Sequence, residues 1–146
     1  MNRRDLFKIT AGAAAVVAKG QQPHRFLTPD EYAAVDELTE MIIPADEKSG
    51  GARAAKVADF IDQRLAEAFL QEERDRWRAG LKQFLGISTD ERLVLLKKLN
   101  ASNDEFFAAL KRDTIRGYYT SKIGIHDDLD YKGNTYQQGD YAGELP

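Results

Sequence analysis

Apolar residues recur along most of this chain at spacings of three and four, and no stretch sustains the period-two alternation of a half-buried strand. Tyr32, Val35, Leu38 and Ile42 make a first stripe. It is introduced by Leu27-Thr28-Pro29-Asp30-Glu31, in which Thr28 can cap, Pro29 suits the first helical position, Glu31 completes a capping box, and Leu27 with Tyr32 forms a hydrophobic staple. Pro44 ends that helix, and a polar turn from Ala45 to Arg53 with Gly50-Gly51 as its break leads to the next. Val57, Phe60, Ile61, Leu65 and Phe69 form the second stripe. Trp77, Leu81, Phe84 and Leu85 form the third, with Gly86 placed for a left-handed C-terminal cap. Ser88 with Glu91 repeats the capping-box spacing ahead of Leu93, Leu96 and Leu99, and Ser102 with Glu105 repeats it ahead of Phe106, Phe107 and Leu110.

These signals predict an all-α domain, a compact bundle of about five helices over residues 26–116, without internal repeat. After Arg116 the pattern changes. Residues 117–146 are rich in Gly, Asp and Tyr, and Tyr131, Tyr136 and Tyr141 fall five apart, a spacing of neither helix nor strand. An irregular segment of that length on a small domain is usually functional or disordered. Tyrosine is common where one end of a ring stays wet at an interface. Tyr118, Tyr119, Tyr131, Tyr136 and Tyr141 are therefore expected to lie on a partner subunit as an extended strap, the alternative being a loose tail.

The N-terminus has a different logic. Met1 to Lys8 is a basic lead, Ile9 to Ala18 is a short uncharged run ending in Val16-Val17-Ala18, and residues 19–25 are a polar linker. The apolar run is about half the length needed to cross a bilayer as a helix. Residues 1–18 thus have the layout of a cleavable signal. Arg3-Arg4-Asp5-Leu6-Phe7-Lys8 resembles the twin-arginine export signal, a receptor-read address for proteins exported already folded. Within it, Arg3, Arg4, Leu6 and Phe7 are the recognised residues; an ordinary secretory signal or an amphipathic N-terminal helix is the alternative. Cleavage after Ala18 would remove three basic residues and one acidic one, leaving the mature chain more acidic than the formal −3 of the whole. A small protein without a cofactor gains little from folded export, whereas export together with a cofactor-loaded partner would explain it.

Composition narrows the chemistry. At 146 residues, 42% hydrophobic and 31% charged, the chain has room for one globular domain. An acidic balance with interspersed Lys and Arg argues against nucleic acid as a partner. Without cysteine the chain alone has no disulfide, thiolate zinc site, attached haem or cysteine-ligated iron–sulfur cluster.

Candidate catalytic groups are few. His126 with Asp127, Asp128 and Asp130 is the one His–carboxylate cluster, but it lacks a fixed helical ligand spacing and reads better as solvated loop charge. Asp59, Asp62 and Glu67 could form a carboxylate pair, yet sit beside Lys56 and Arg64 as ordinary helix-surface charges do. His24 falls in the linker. Gly50-Gly51-Ala52-Arg53 has no phosphate-loop spacing, and no Ser/His/Asp set can be assembled. No catalytic, cofactor-binding or metal-binding residue is assigned.

Phe26-Leu27-Thr28-Pro29-Asp30-Glu31, Ile42-Ile43-Pro44-Ala45-Asp46, Gly51-Ala52, Val57-Ala58-Asp59-Phe60-Ile61-Asp62, Gly117-Tyr118-Tyr119-Thr120-Ser121-Lys122-Ile123-Gly124 and Tyr131-Lys132-Gly133-Asn134 together resemble the gluconate 2-dehydrogenase subunit 3 family. The likeness runs from about Phe26 to Asn134; the Tyr-rich end beyond departs from the family pattern. The resemblance implies a small, non-catalytic subunit of a periplasmic or membrane-associated dehydrogenase of sugars or sugar acids. It implies a large glucose-methanol-choline-type flavoprotein carrying FAD as partner, often with a cytochrome c subunit as electron acceptor. The small subunit would supply the signal read by the twin-arginine translocase, and no cofactor would reside in this chain. A free-standing periplasmic helical binding protein is the competing reading.

Overall fold

The computed structural model describes residues 24–131. Every regular element among them is helical. The order is α1 (Pro29–Ile42), the single turn α2 (Gly51–Ala54), α3 (Val57–Ala66), α4 (Gln71–Lys82), α5 (Thr89–Ala101), α6 (Glu105–Tyr119) and a π-helical turn at Ile123–Asp128. The five long helices are those read from the sequence. The chain is a compact all-α fold in which α1 and α6 each touch α2, α3, α4 and α5, and also one another.

Helix α1 begins as its residues dictate. The Thr28 hydroxyl accepts from the Glu31 N–H at 3.2 Å while the Glu31 carboxylate accepts from the Thr28 N–H at 2.9 Å, and Pro29 occupies the first turn. Val35 and Leu38 are fully buried. Past its end, the Glu40 carboxylate accepts the N–H groups of Ala45 (3.1 Å) and Arg53 (2.8 Å) and so folds the intervening loop back. Gly51 stands in that loop at φ +74°, where a Cβ would run into the backbone of Pro44 and Ala45.

Three expectations are corrected. Phe69 does not continue the α3 stripe: α3 stops at Ala66 and Phe69 is 97% exposed, while Val57, Ile61 and Leu65 are buried. Asp104, not Ser102, caps α6, accepting from the Phe107 N–H at 3.0 Å; Ser102 closes α5 by donating to the Leu99 carbonyl. The Ser–x–x–Glu spacing there spans two helices instead of opening one. Lastly, the body does not give way to extended chain at Gly117. Helix α6 runs on to Tyr119, because Gly117 packs on Phe60, whose Cδ1 lies 2.7 Å from where a Cβ would stand.

The core is joined by side chains from each long helix: Leu38, Ile61, Leu65, Trp77, Leu81, Leu96, Phe106 and Leu110. Trp77 and Phe106 form a T-shaped pair with ring centroids 5.3 Å apart, and Gly80 leaves the space in which the Phe106 ring sits.

Candidate partner-binding surface

Several of the residues quoted above for the family resemblance hold the chain's own loops in place. At the entry to α1, the Asp62 carboxylate accepts three backbone N–H groups, from Arg25 (2.7 Å), Phe26 (2.9 Å) and Leu27 (2.7 Å). Burial alone would raise its pKa, but the donors of Leu27, Arg25 and Phe26, with His24 nearby, outweigh it and hold the carboxyl below its ordinary value. Arg78 closes the other side, its guanidinium 4.4 Å from the Phe26 ring centre and 2.9 Å from the Phe26 carbonyl. His24 stacks on Tyr32, whose hydroxyl donates to Asp59 at 2.8 Å. Burial first, then the Asp59 bond, pushes that hydroxyl well above the usual tyrosine range. The chain leading into the folded body is thus clamped on α3 and α4.

A second cluster involves Tyr118. The Tyr118 hydroxyl bonds the Ser49 hydroxyl, and the Ser49 N–H is held at 2.9 Å by Asp46. Gly124 lies against the Tyr118 carbonyl, where any Cβ would collide. A third, partly buried polar group joins α3, α4 and α6: Arg64 pairs with Asp113 and, at 2.7 Å, with Glu73.

The candidate acids therefore have structural partners. Asp59 serves Tyr32, Asp62 serves the backbone, and Glu67 bonds Gln63 at 3.1 Å and Arg25 at 3.5 Å, so the three do not form a shared carboxylate site. The His126 ring lies 3.1 Å from the Tyr131 carbonyl. Among the described residues no three His, Cys, Asp or Glu side chains gather where a metal ion could be held.

Among the described residues, large apolar side chains reach solvent in three places. Phe69 (97% exposed) and Leu70 mark the α3–α4 corner, Leu93 and Val94 the outside of α5, and Ile115, Tyr119, Leu129 and Tyr131 the end of α6 and the π turn. Of the tyrosines assigned to a partner strap, Tyr118 is corrected: it is 1% exposed within this chain and belongs to the core, its ring packed in the hydrophobic cluster and its hydroxyl bonded to that of Ser49. Tyr119 and Tyr131 do reach the surface. The bond to Asp128, aided by burial, raises the Tyr119 hydroxyl pKa. Tyr136 and Tyr141, like the signal residues Arg3, Arg4, Leu6 and Phe7, lie outside the described residues. The sequence reading missed the exposed Leu93-Val94 pair; the signal was present in four consecutive apolar residues, Leu93 to Leu96, too many for one buried face.

These features define a small all-α domain whose buried polar groups hold its own loops and whose apolar surface is divided among three corners. The pattern of the family described as gluconate 2-dehydrogenase subunit 3 matches residues 29–139, and the chain belongs to that family. Membership makes it a subunit of a dehydrogenase complex. No curated protein and no solved structure matches it. Among the described residues no helix is long and apolar enough to cross a membrane.

Proposed function

We propose that this chain is the non-catalytic small subunit of a periplasmic, flavin-dependent dehydrogenase of a sugar or sugar acid. It supplies the twin-arginine signal for a large glucose-methanol-choline-type flavoprotein that carries FAD, and it supports assembly of that partner. The family match over residues 29–139 carries the reading. Arg3-Arg4 with Leu6-Phe7 supports the export role, because a folded passenger is what that address selects. The clamp at Asp62 supports it further: a leader attached to a fixed point of a folded body stays linked to whatever that body binds. A cytochrome c subunit is the natural electron acceptor for such a flavoprotein, placing the complex at the membrane face of the periplasm.

In this account the assembly surface combines the exposed Tyr119 and Tyr131 with the chain beyond them, including Tyr136 and Tyr141, as rings that bury area against the large subunit while their hydroxyls find polar partners. Co-production of the tagged chain with the flavoprotein tests it. A yellow complex that survives gel filtration is expected; a colourless lone chain in the presence of abundant flavoprotein contradicts the reading.

A further inference from the structure

Helix α5 is apolar on more sides than its own fold uses. Of Leu93, Val94, Leu95, Leu96 and Leu99, only Leu96 is buried, Leu95 and Leu99 are partly covered, and Val94 is 66% exposed. The outward face of α5 is a shallow groove bordered by Asp90, Glu91, Val94, Leu95 and Lys98.

The charges on that face are ordered. Asp90 and Glu91 lie in the first turn, Lys97 and Lys98 near the last, and among the described residues none of the four has an ion-pair partner. At 100° per residue, Asp90 and Lys97 fall on one flank of Val94 and Glu91 and Lys98 on the other. Each acidic residue precedes the basic one on its flank by seven positions, and the two pairs are centred together on Val94. Such a charge pattern is complementary to itself when reversed.

We propose that α5 pairs antiparallel with α5 of a second copy of this chain, about a two-fold axis passing at Val94. In that arrangement Val94 meets Val94 of the second copy. Asp90 then lies within one residue's rise of Lys97 of the second copy, and Glu91 of Lys98, giving four cross-pairs by symmetry. Glu91 keeps its capping bond to the Ser88 N–H through one carboxylate oxygen, leaving the other for the lysine. A same-sense parallel pairing would instead set like charges against each other, so charge fixes the direction. The pairing is independent of the dehydrogenase reading; in a complex, it would join two assemblies through their small subunits. A helix-pair face is at the small end of specific interfaces, so a dissociation constant of about 1–100 µM is expected.

The test uses the full chain in sedimentation equilibrium up to roughly 0.1 mM, with circular dichroism to check helicity. The acidic variant Lys97→Glu with Lys98→Glu and the basic variant Asp90→Lys with Glu91→Gln, the glutamine retaining the capping box, should each lose self-association by about tenfold or more, since four attractions are abolished or reversed. Mixed together, the two variants should associate again. Val94→Glu should be monomeric. A wild-type chain that stays monomeric, or an acidic variant that dimerises like wild type, overturns the proposal. So does a monomeric chain whose Val94→Glu variant fails to retain the flavoprotein, for then the face belongs to the large subunit.

Discussion

Replacing Asp62 should cost far more than the loss of a surface carboxylate. Its two oxygens accept three backbone N–H groups at 2.7–2.9 Å, and the residue is 6% exposed. Hydrogen bonds to a charged group are worth about 1.5–3 kcal/mol each. The three do not simply add, because they share one acceptor and because the Arg25 and Phe26 N–H groups can reach water once released, whereas the Leu27 N–H is buried. Asp62→Ala is therefore expected to cost about 3 kcal/mol, read as a fall of roughly 10–20 °C in Tm or by urea unfolding. Asp62→Asn keeps one acceptor oxygen and turns an amide toward the Arg25 N–H, so about 1–2 kcal/mol is expected. The pH dependence has a fixed sign. A carboxyl whose folded pKa lies below its unfolded value stabilises fully above the unfolded value and loses that contribution as pH falls through the folded one. The gap between wild type and Asp62→Asn should thus be widest near neutral pH and narrow below about pH 4. An alanine variant within about 0.5 kcal/mol of wild type, or a gap constant down to acid pH, would refute the reasoning.

Trp77→Ala should destabilise by about 3–5 kcal/mol in urea titrations, because the ring is fully buried against Phe106. Gly80→Ala should lower stability by about 1 kcal/mol despite the better helix propensity of alanine, since the new methyl would enter the space of the buried Phe106 ring; a rise in Tm would contradict that packing. Ending the chain at Tyr131 should leave the far-ultraviolet spectrum helical while reducing recovery of the flavoprotein in pull-downs, and undiminished recovery would move the assembly surface to the helices.

The local grammar of this fold was legible wherever a residue acts within its own turn. Thr28–Glu31 and Ser88–Glu91 form the capping boxes their spacing announces, and Gly86 adopts the positive φ expected of a terminating glycine. Ser102–Glu105 carries the same spacing with a different outcome, because Asp104 stands one residue before α6 and is the nearer acceptor. Tertiary roles were not legible. Asp62 looks like a surface charge on α3 until the chain before α1 lies across it, and Tyr118 looks like a strap residue until Ser49, 69 positions earlier, meets its hydroxyl. Phe69 fits the helical period of α3, yet the helix ends before it arrives. The family was readable because these same residues, Phe60, Asp62, Gly117, Tyr118 and Gly124, fix how the helices and loops lock together, and such contacts constrain residue type more tightly than an exposed surface does.

The central claim is that the chain carries its flavoprotein partner out of the cytoplasm, and Arg3 and Arg4 are where it is most exposed to test. Both arginines are changed to lysine together, which keeps the charge and removes the recognised pair, and flavoprotein antigen and FAD-dependent dye reduction are measured in periplasmic and cytoplasmic fractions. The account predicts that the small subunit and the flavoprotein are retained together in the cytoplasm, still associated. Flavoprotein arriving in the periplasm at wild-type levels while the doubly substituted subunit stays behind would contradict it.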